Sequence, residues 1–323
     1  MPRARRPRLP PAERAARRRR ERLRRRRATL LGACLVVLAA GIAFVALSGG
    51  SSRAHVRARA KLSGGTARSG NAAAHGAPGT TAATASATRD GESPEIRRLI
   101  ALGKPIYCAG SRGDEVALTF DDGPGPYTRL MLAKLRKHGV RATFFVVGRN
   151  IALLPSAPRA ERAIGAVGDH TFTHPLLTAI APGEAEGQIV QTQHALERSA
   201  GARVFLFRPP YGGHDATVDS IVRSHGLLEI LWTVDSADSL GANYAQIERT
   251  VIGGLRPGAI ILMHENHGQT VRAMLAIFAA LQRRHLRAVS VAQLLTDDPP
   301  SAAQLSGAGG GCGVRKSSGL SGG

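Results

Sequence analysis

The stretch EVALTF at residues 115–120, running at once into Asp121-Asp122-Gly123-Pro124, decides how this chain folds. A short apolar run rich in β-formers, stopped by acids and turn residues, reads as a buried strand with polar groups at its C-terminal end. Taken alone, DDGP is as good a turn as a site, because Asp, Gly and Pro are turn formers. The sequence on either side carries the decision further. Strand candidates recur at Ala142–Val147, Val204–Phe207, Leu228–Val234, Ala259–Met263 and Ala288–Val291. Between them lie helix candidates at Arg129–His138, Gly183–Ala200, Ala216–His225, Tyr244–Leu255 and Thr270–Arg284. This alternation predicts an α/β domain over residues 93–298, with a mostly parallel sheet or a barrel. In a (β/α) barrel the active site lies at the C-terminal ends of the strands. Chemically capable residues should therefore follow each strand.

They do so at five places. Asp121 and Asp122 are adjacent, so their side chains leave the strand in different directions; one can ligate a metal while the other acts as a base. His170 and His174 in HTFTH are four apart and can converge on one ion if that segment is helical. Two His and one Asp make a three-ligand site that leaves a position for water. Arg208-Pro209-Pro210-Tyr211-Gly212 follows VFLF, and two prolines stiffen a backbone that can aim an N–H at a developing oxyanion. Arg208 can pair with a carboxylate and lower its pKa. Asp235-Ser236-Ala237-Asp238 and His264-Glu265-Asn266 end the next two strands. A nearby Asp would orient the His264 ring and raise its pKa.

In order, TFDDGP, HTFTH, RPPYG, DSAD and LMHE resemble the five motifs of the polysaccharide deacetylase family, the NodB-homology domain of carbohydrate esterase family 4. The resemblance spans residues 106–296. It implies a distorted (β/α) barrel of about seven parallel strands. It also implies roles: Asp121 as general base, and Asp122, His170 and His174 as ligands of a divalent metal, zinc or a similar ion such as cobalt. Arg208 would tune the base, the Tyr211 N–H would bind the oxyanion, and Leu262 would line the acetyl pocket. His264 would be the general acid, with Asp238 setting its charge. The implied reaction is removal of N-acetyl groups from a cell-wall polysaccharide, with peptidoglycan first and chitooligosaccharides or O-acetylated polymers as alternatives. Two positions depart from the pattern. Ser239 stands where the family has Trp, and Glu265 follows His264 where it has Asp. They make a catalytically inactive sugar-binding relative the competing class, and they point the segment Glu265-Asn266-His267-Gly268 toward substrate contact.

The rest of the chain concerns location. Of the net charge of +21, 14 Arg and two Glu place +12 within residues 1–27 and leave +9 for the remainder. The basic pI thus describes a tail, and with aromatics at 4% of the chain nothing resembles a nucleic-acid surface. Residues 28–47, ATLLGACLVVLAAGIAFVAL, carry no charge. About 20 apolar residues suffice to span a membrane. The Arg run predicts a signal anchor with its N-terminus cytoplasmic and the domain outside the cell membrane; cleavage near Ala46-Leu47-Ser48 and secretion is the alternative. Residues 48–92 read as a flexible Gly/Ala/Ser/Thr tether and 299–323 as a loose tail. Cys108 precedes the first strand and Cys312 follows the last. In an oxidising compartment they are the candidates for a disulfide, with Cys34 left apart in the apolar run.

Overall fold

The computed structural model describes residues 92–306 and 310–312. The expected anchor at 28–47, the Arg tail and nearly all of the tether lie outside the described residues. Among those that are described, no helix is long and apolar enough to cross a membrane.

The domain starts with α1 (Pro94–Leu102). The Ser93 side chain caps the Ile96 N–H, Pro94 opens the first turn, and Gly103 ends the helix at φ 59°, each at a position its chemistry favours. Ile96, Leu99 and Ile100 line the buried face, at the spacing of one helix stripe. Then come β1 (Glu115–Gly123), α2 (Thr128–Lys137), β2 (Thr143–Val146), α3 (Ala157–Arg162), β3 (Ala166–Asp169) and α4 (Pro182–Ala200). They are followed by β4 (Leu206–Phe207), α5 (Ala216–Ser224), β5 (Leu228–Glu229), β6 (Val234–Asp235) and α6 (Tyr244–Gly254). The remainder is β7 (Ile260–His264), α7 (Gly268–Arg283), β8 (Arg287–Val289), α8 (Val291–Asp297) and α9 (Ala302–Leu305).

The strands form one parallel sheet in the order β5-β4-β3-β2-β1-β7-β6, with β8 added beside β1. This seven-strand path is a curled (β/α) half-barrel. The run expected as one strand over 228–234 is split. Its first part pairs with β4 through Leu228 and Glu229, and its last part pairs with β7 through Val234 and Asp235. One extended run therefore serves both ends of the curled sheet.

Alternation along the strands sorts two apolar layers. Val116, Leu118, Phe120, Phe144, Val146, Ile261 and Met263 pack with residues of α2, α6 and α7. Ala117, Phe145, Leu206, Ile230 and Ile260 face the other way and pack with α1 and α8. Each fully buried Ile, Leu or Phe contributes about 1.5–3 kcal/mol. The second layer fills the N-terminal end of the concave face and leaves the C-terminal end to polar groups.

Two differences from the sequence reading follow from tertiary context. β3 was not expected, because AVGD is four residues long and ends in Gly-Asp; its neighbours β2 and β4 supply the pairing. The tail after residue 298 is not wholly loose. Ser301 and Gln304 form a capping box on α9. Gln304 donates to the Ala109 carbonyl at 2.8 Å, and Cys312 is disulfide-bonded to Cys108.

Candidate active site

Asp121 lies in register with His264 across the parallel pair β1–β7, and Thr119 with Leu262. All four side chains fall on the concave face, above the Ala117 and Ile260 layer. Beyond Asp121 the register with β2 shifts, and Asp122 adopts φ 68°. That twist turns the two acids to separate tasks.

Asp121 is buried against Arg208, which is itself 0% exposed. Arg208 Nη1 donates to Asp121 Oδ1 at 2.7 Å and to Thr119 Oγ1 at 2.7 Å. Its Nε donates to the Ile230 carbonyl at 3.0 Å and Nη2 to the Leu231 carbonyl at 3.2 Å. The guanidinium also lies over the Phe145 ring, 4.1 Å from the centroid. Burial raises the Asp121 pKa, and the Arg208 charge opposes that rise. The net direction is upward, opposite to the lowering expected from the Arg208 pairing alone, because desolvation outweighs the pair.

Asp122, His170 and His174 converge. Their ligand atoms all lie within 4.8 Å of one another. The two Nε2 atoms are 3.1 Å apart, and Asp122 Oδ1 is 3.3 Å from His174 Nε2 and 3.7 Å from His170 Nε2. The segment is not helical, contrary to the geometry expected for HTFTH. Thr171 and His174 take φ 64° and 65°, and this irregular backbone brings the rings together. Asp169 holds the turn from within: Oδ1 accepts the Thr171 N–H at 2.7 Å and Oδ2 accepts Gln193 Nε2 at 2.8 Å. His170 Nδ1 donates to the Arg208 carbonyl at 2.7 Å, so its Nε2 keeps the lone pair. Burial, then the neighbouring His174, holds the His170 pKa down to about 3, and the ring stays neutral. Two imidazole nitrogens aimed at one carboxylate oxygen fit a divalent cation.

His264 projects opposite. Its Nδ1 donates to Asp238 Oδ1 at 2.6 Å and its backbone N–H to Asp238 Oδ2 at 2.8 Å. Asp238 Oδ2 also accepts Thr270 Oγ1 at 2.5 Å, and Oδ1 accepts the Ser239 N–H at 2.8 Å. Burial alone would lower the His264 pKa, but the Asp238 hydrogen bond and charge raise it to about 9. With Nδ1 committed to Asp238, Nε2 is the ring position left for the site.

Tyr211 has φ 61°, and the Gly212 and Gly213 N–H groups close the turn onto the Pro209 and Pro210 carbonyls. The Tyr211 ring is 71% exposed and meets His174 edge-on, with centroids 4.7 Å apart. Trp232 packs against this turn: a Cβ on Gly212 would lie 2.9 Å from its ring. Ser239 and Leu240 are exposed at the rim.

Glu265 does not face the rim. It is 0% exposed, and a Cβ on Gly123 would meet its Oε2 at 1.8 Å. The departure from the family's usual pair is thus absorbed inside the fold, with Gly123 making the room. Thr119, Asp169, Gln193 and Thr270 were not anticipated as part of the site. Asp169 carried one signal, an acid directly before HTFTH; the others belong to no motif.

The polysaccharide deacetylase family profile matches residues 109–230. A peptidoglycan-N-acetylglucosamine deacetylase of Bacillus cereus is 36% identical over 156 residues, which cover 48% of this chain and 57% of that protein. The match therefore spans little more than half of that relative. A chitooligosaccharide deacetylase of Bradyrhizobium sp. is 36% identical over 187 residues, 52% of this chain and 85% of that one. Among solved structures, a family 4 carbohydrate esterase from Streptomyces lividans in complex with acetate superposes with a TM-score of 0.52 at 38% identity. That likeness covers 56% of this chain and 93% of that one. Ordered motifs, a curled parallel sheet and this extent of shared sequence lead to one statement: the chain belongs to the polysaccharide deacetylase family.

Proposed function

We propose that this protein is a metal-dependent hydrolase that removes N-acetyl groups from cell-wall polysaccharide, with peptidoglycan amino sugars as its substrate. The observation that carries the reading is the in-register pair Asp121 and His264, one held by Arg208 and the other by Asp238, beside the Asp122–His170–His174 cluster. Relatives that match over this region are deacetylases of peptidoglycan and of chitooligosaccharides by name, which supports the substrate class.

Asp122, His170 and His174 would hold the ion, and zinc suits two imidazoles and a carboxylate. When bound, such an ion supplies a water of lowered pKa and polarises a carbonyl. Asp121 has Oδ1 tied to Arg208, so Oδ2 takes the proton from the attacking water. The Tyr211 N–H donates to the oxyanion that develops on the former carbonyl; a donor of this kind is worth roughly 100- to 1000-fold in rate. Leu262, on the same face as His264, lines the space for the acetyl methyl. His264 then passes its Nε2 proton to the departing amine. The products are acetate and a free amino sugar.

The same reading places the domain outside the cell membrane. Its support is the uncharged run 28–47 behind a +12 segment, the pattern of a signal anchor. Secretion after cleavage differs by one observable, the N-terminal residue of the mature protein.

The deciding assay follows acetate release by the full-length chain from peptidoglycan and from chitooligosaccharides, with and without a chelator. Chelator-sensitive release, faster from peptidoglycan, is expected. Release that ignores the chelator, or no release from either polymer by metal-loaded protein, overturns the proposal.

A further inference from the structure

A second cluster begins just after the Tyr211 turn in the chain. His214 follows that turn, Asp219 sits within α5, and Glu229 ends β5. The ligand atoms of the three lie within 4.8 Å of one another. His214 Nδ1 is 3.0 Å from Asp219 Oδ1 and 3.7 Å from Glu229 Oε1. The other ring nitrogen, Nε2, is 3.3 Å from the Tyr107 hydroxyl. The family motifs account for none of these four side chains.

Glu229 is the telling member. It is 4% exposed, and neither carboxylate oxygen has a hydrogen-bond partner within the protein. Among the described residues, the only cationic group within ion-pair distance of either carboxylate is the His214 ring. Two carboxylates facing one imidazole in a largely buried place are costly unless a cation or a shared proton joins them. First-row divalent ions bind such donors at about 2.0–2.2 Å, which sets neighbouring ligand atoms roughly 3–3.6 Å apart. The observed 3.0 and 3.7 Å bracket that range. The Tyr107 contact on the opposite ring nitrogen is the kind of outer support that orients a ligating imidazole.

We propose that His214, Asp219 and Glu229 form a second divalent-metal site, taking zinc or a similar first-row ion through one nitrogen and two carboxylate oxygens. Its position gives it a structural task. It ties the residue that follows the Tyr211 turn to α5 and to β5, and so fixes the loop that carries Tyr211. The competing occupant is a proton shared between the Asp219 and Glu229 carboxyls.

Zinc bound per chain, measured by mass spectrometry after gel filtration of zinc-loaded full-length protein, separates the two. Wild type should hold two ions, and Glu229→Gln and His214→Ala one each. A His174→Ala protein should keep one ion and melt at higher temperature when zinc is added; adding Glu229→Gln to it should abolish that rise. Equal zinc content in wild type and Glu229→Gln, with both folded by circular dichroism, overturns the site and leaves the shared proton. Two ions in both wild type and His174→Ala would count against the Asp122–His170–His174 site instead and leave this one standing.

Discussion

The two flanks of the mouth solve the same electrostatic problem with different cations. On one flank a buried carboxylate, Asp121, meets Arg208; on the other a buried carboxylate, Asp238, meets His264. Both contacts are short and both acids are nearly closed to solvent. The guanidinium cannot release its proton in the working range, whereas the imidazole can. The cation of the Arg208 flank is therefore fixed, and Asp121 is the group there that can take a proton, while the His264 flank holds a proton it can give away. Two carboxylate–cation pairs of similar geometry acquire opposite chemical roles because burial raises the Asp121 carboxyl, because hydrogen bonds from His264 and Thr270 outweigh burial and lower Asp238, and because only the imidazole can give up its proton.

The comparison breaks most visibly if the fixed cation is removed. Arg208→Met strands Asp121 and the Ile230 and Leu231 carbonyls in the interior. Losing one partner of a buried pair costs about 3–5 kcal/mol. The urea midpoint should drop accordingly with little change in slope; a midpoint within experimental error of wild type would mean that Arg208 is dispensable to the fold.

On the titratable flank the expected change is in pH dependence. The His264 pKa in the folded protein stands at about 9, above its ordinary value of 6.5. The stabilisation from its pairing is thus complete below about pH 6.5 and lost as pH rises through about 9. Activity that needs the protonated ring falls over the same upper range. Asp238→Asn removes the hydrogen bond and the charge that raise His264 most, leaving the Asp121 and Asp122 charges against burial, so the alkaline limb of kcat/KM should move down from about pH 9. An alkaline limb that stays near pH 9 would remove His264 from the role of acid.

A smaller effect distinguishes the support from the pair itself. Thr270→Val deletes one of the hydrogen bonds to Asp238 Oδ2, a loss of about 0.5–1.5 kcal/mol. Because that bond is present whether or not His264 carries its proton, the loss should appear in folding stability and the alkaline limb should stay close to that of wild type, well short of Asp238→Asn. A shift as large as that of Asp238→Asn would show that Thr270, not His264, is the main partner of Asp238.

What the sequence made legible follows from the same physics. β1 and β7 carry mostly apolar runs that lead into Asp121 and His264, and their pattern survives because both faces of each strand are buried. Strand-end chemistry could be read from those runs. β3 could not: AVGD has no run to recognise, and its strand exists because β2 and β4 flank it. The convergence of His170 and His174 was expected from helical spacing, yet it depends on positive φ at Thr171 and His174, a conformation no periodicity reveals. Arg208 was placed correctly after its strand, but its complete burial comes from carbonyls of the 228–235 run, far along the chain. Glu265 reads as a rim residue from its place after His264, but the absence of a side chain at Gly123 leaves the space that takes it inside.

The division into base and acid is tested most directly by Asp121→Asn. The change keeps the shape and the room for Arg208 but removes the proton acceptor. Acetate release by the zinc-loaded variant, compared with wild type at the same bound-metal content, should fall by roughly 100- to 10,000-fold, the usual contribution of a positioned general base. Retention of acetate release within a few-fold of wild type would contradict the assignment of Asp121 as the base, and with it the contrast between the two flanks.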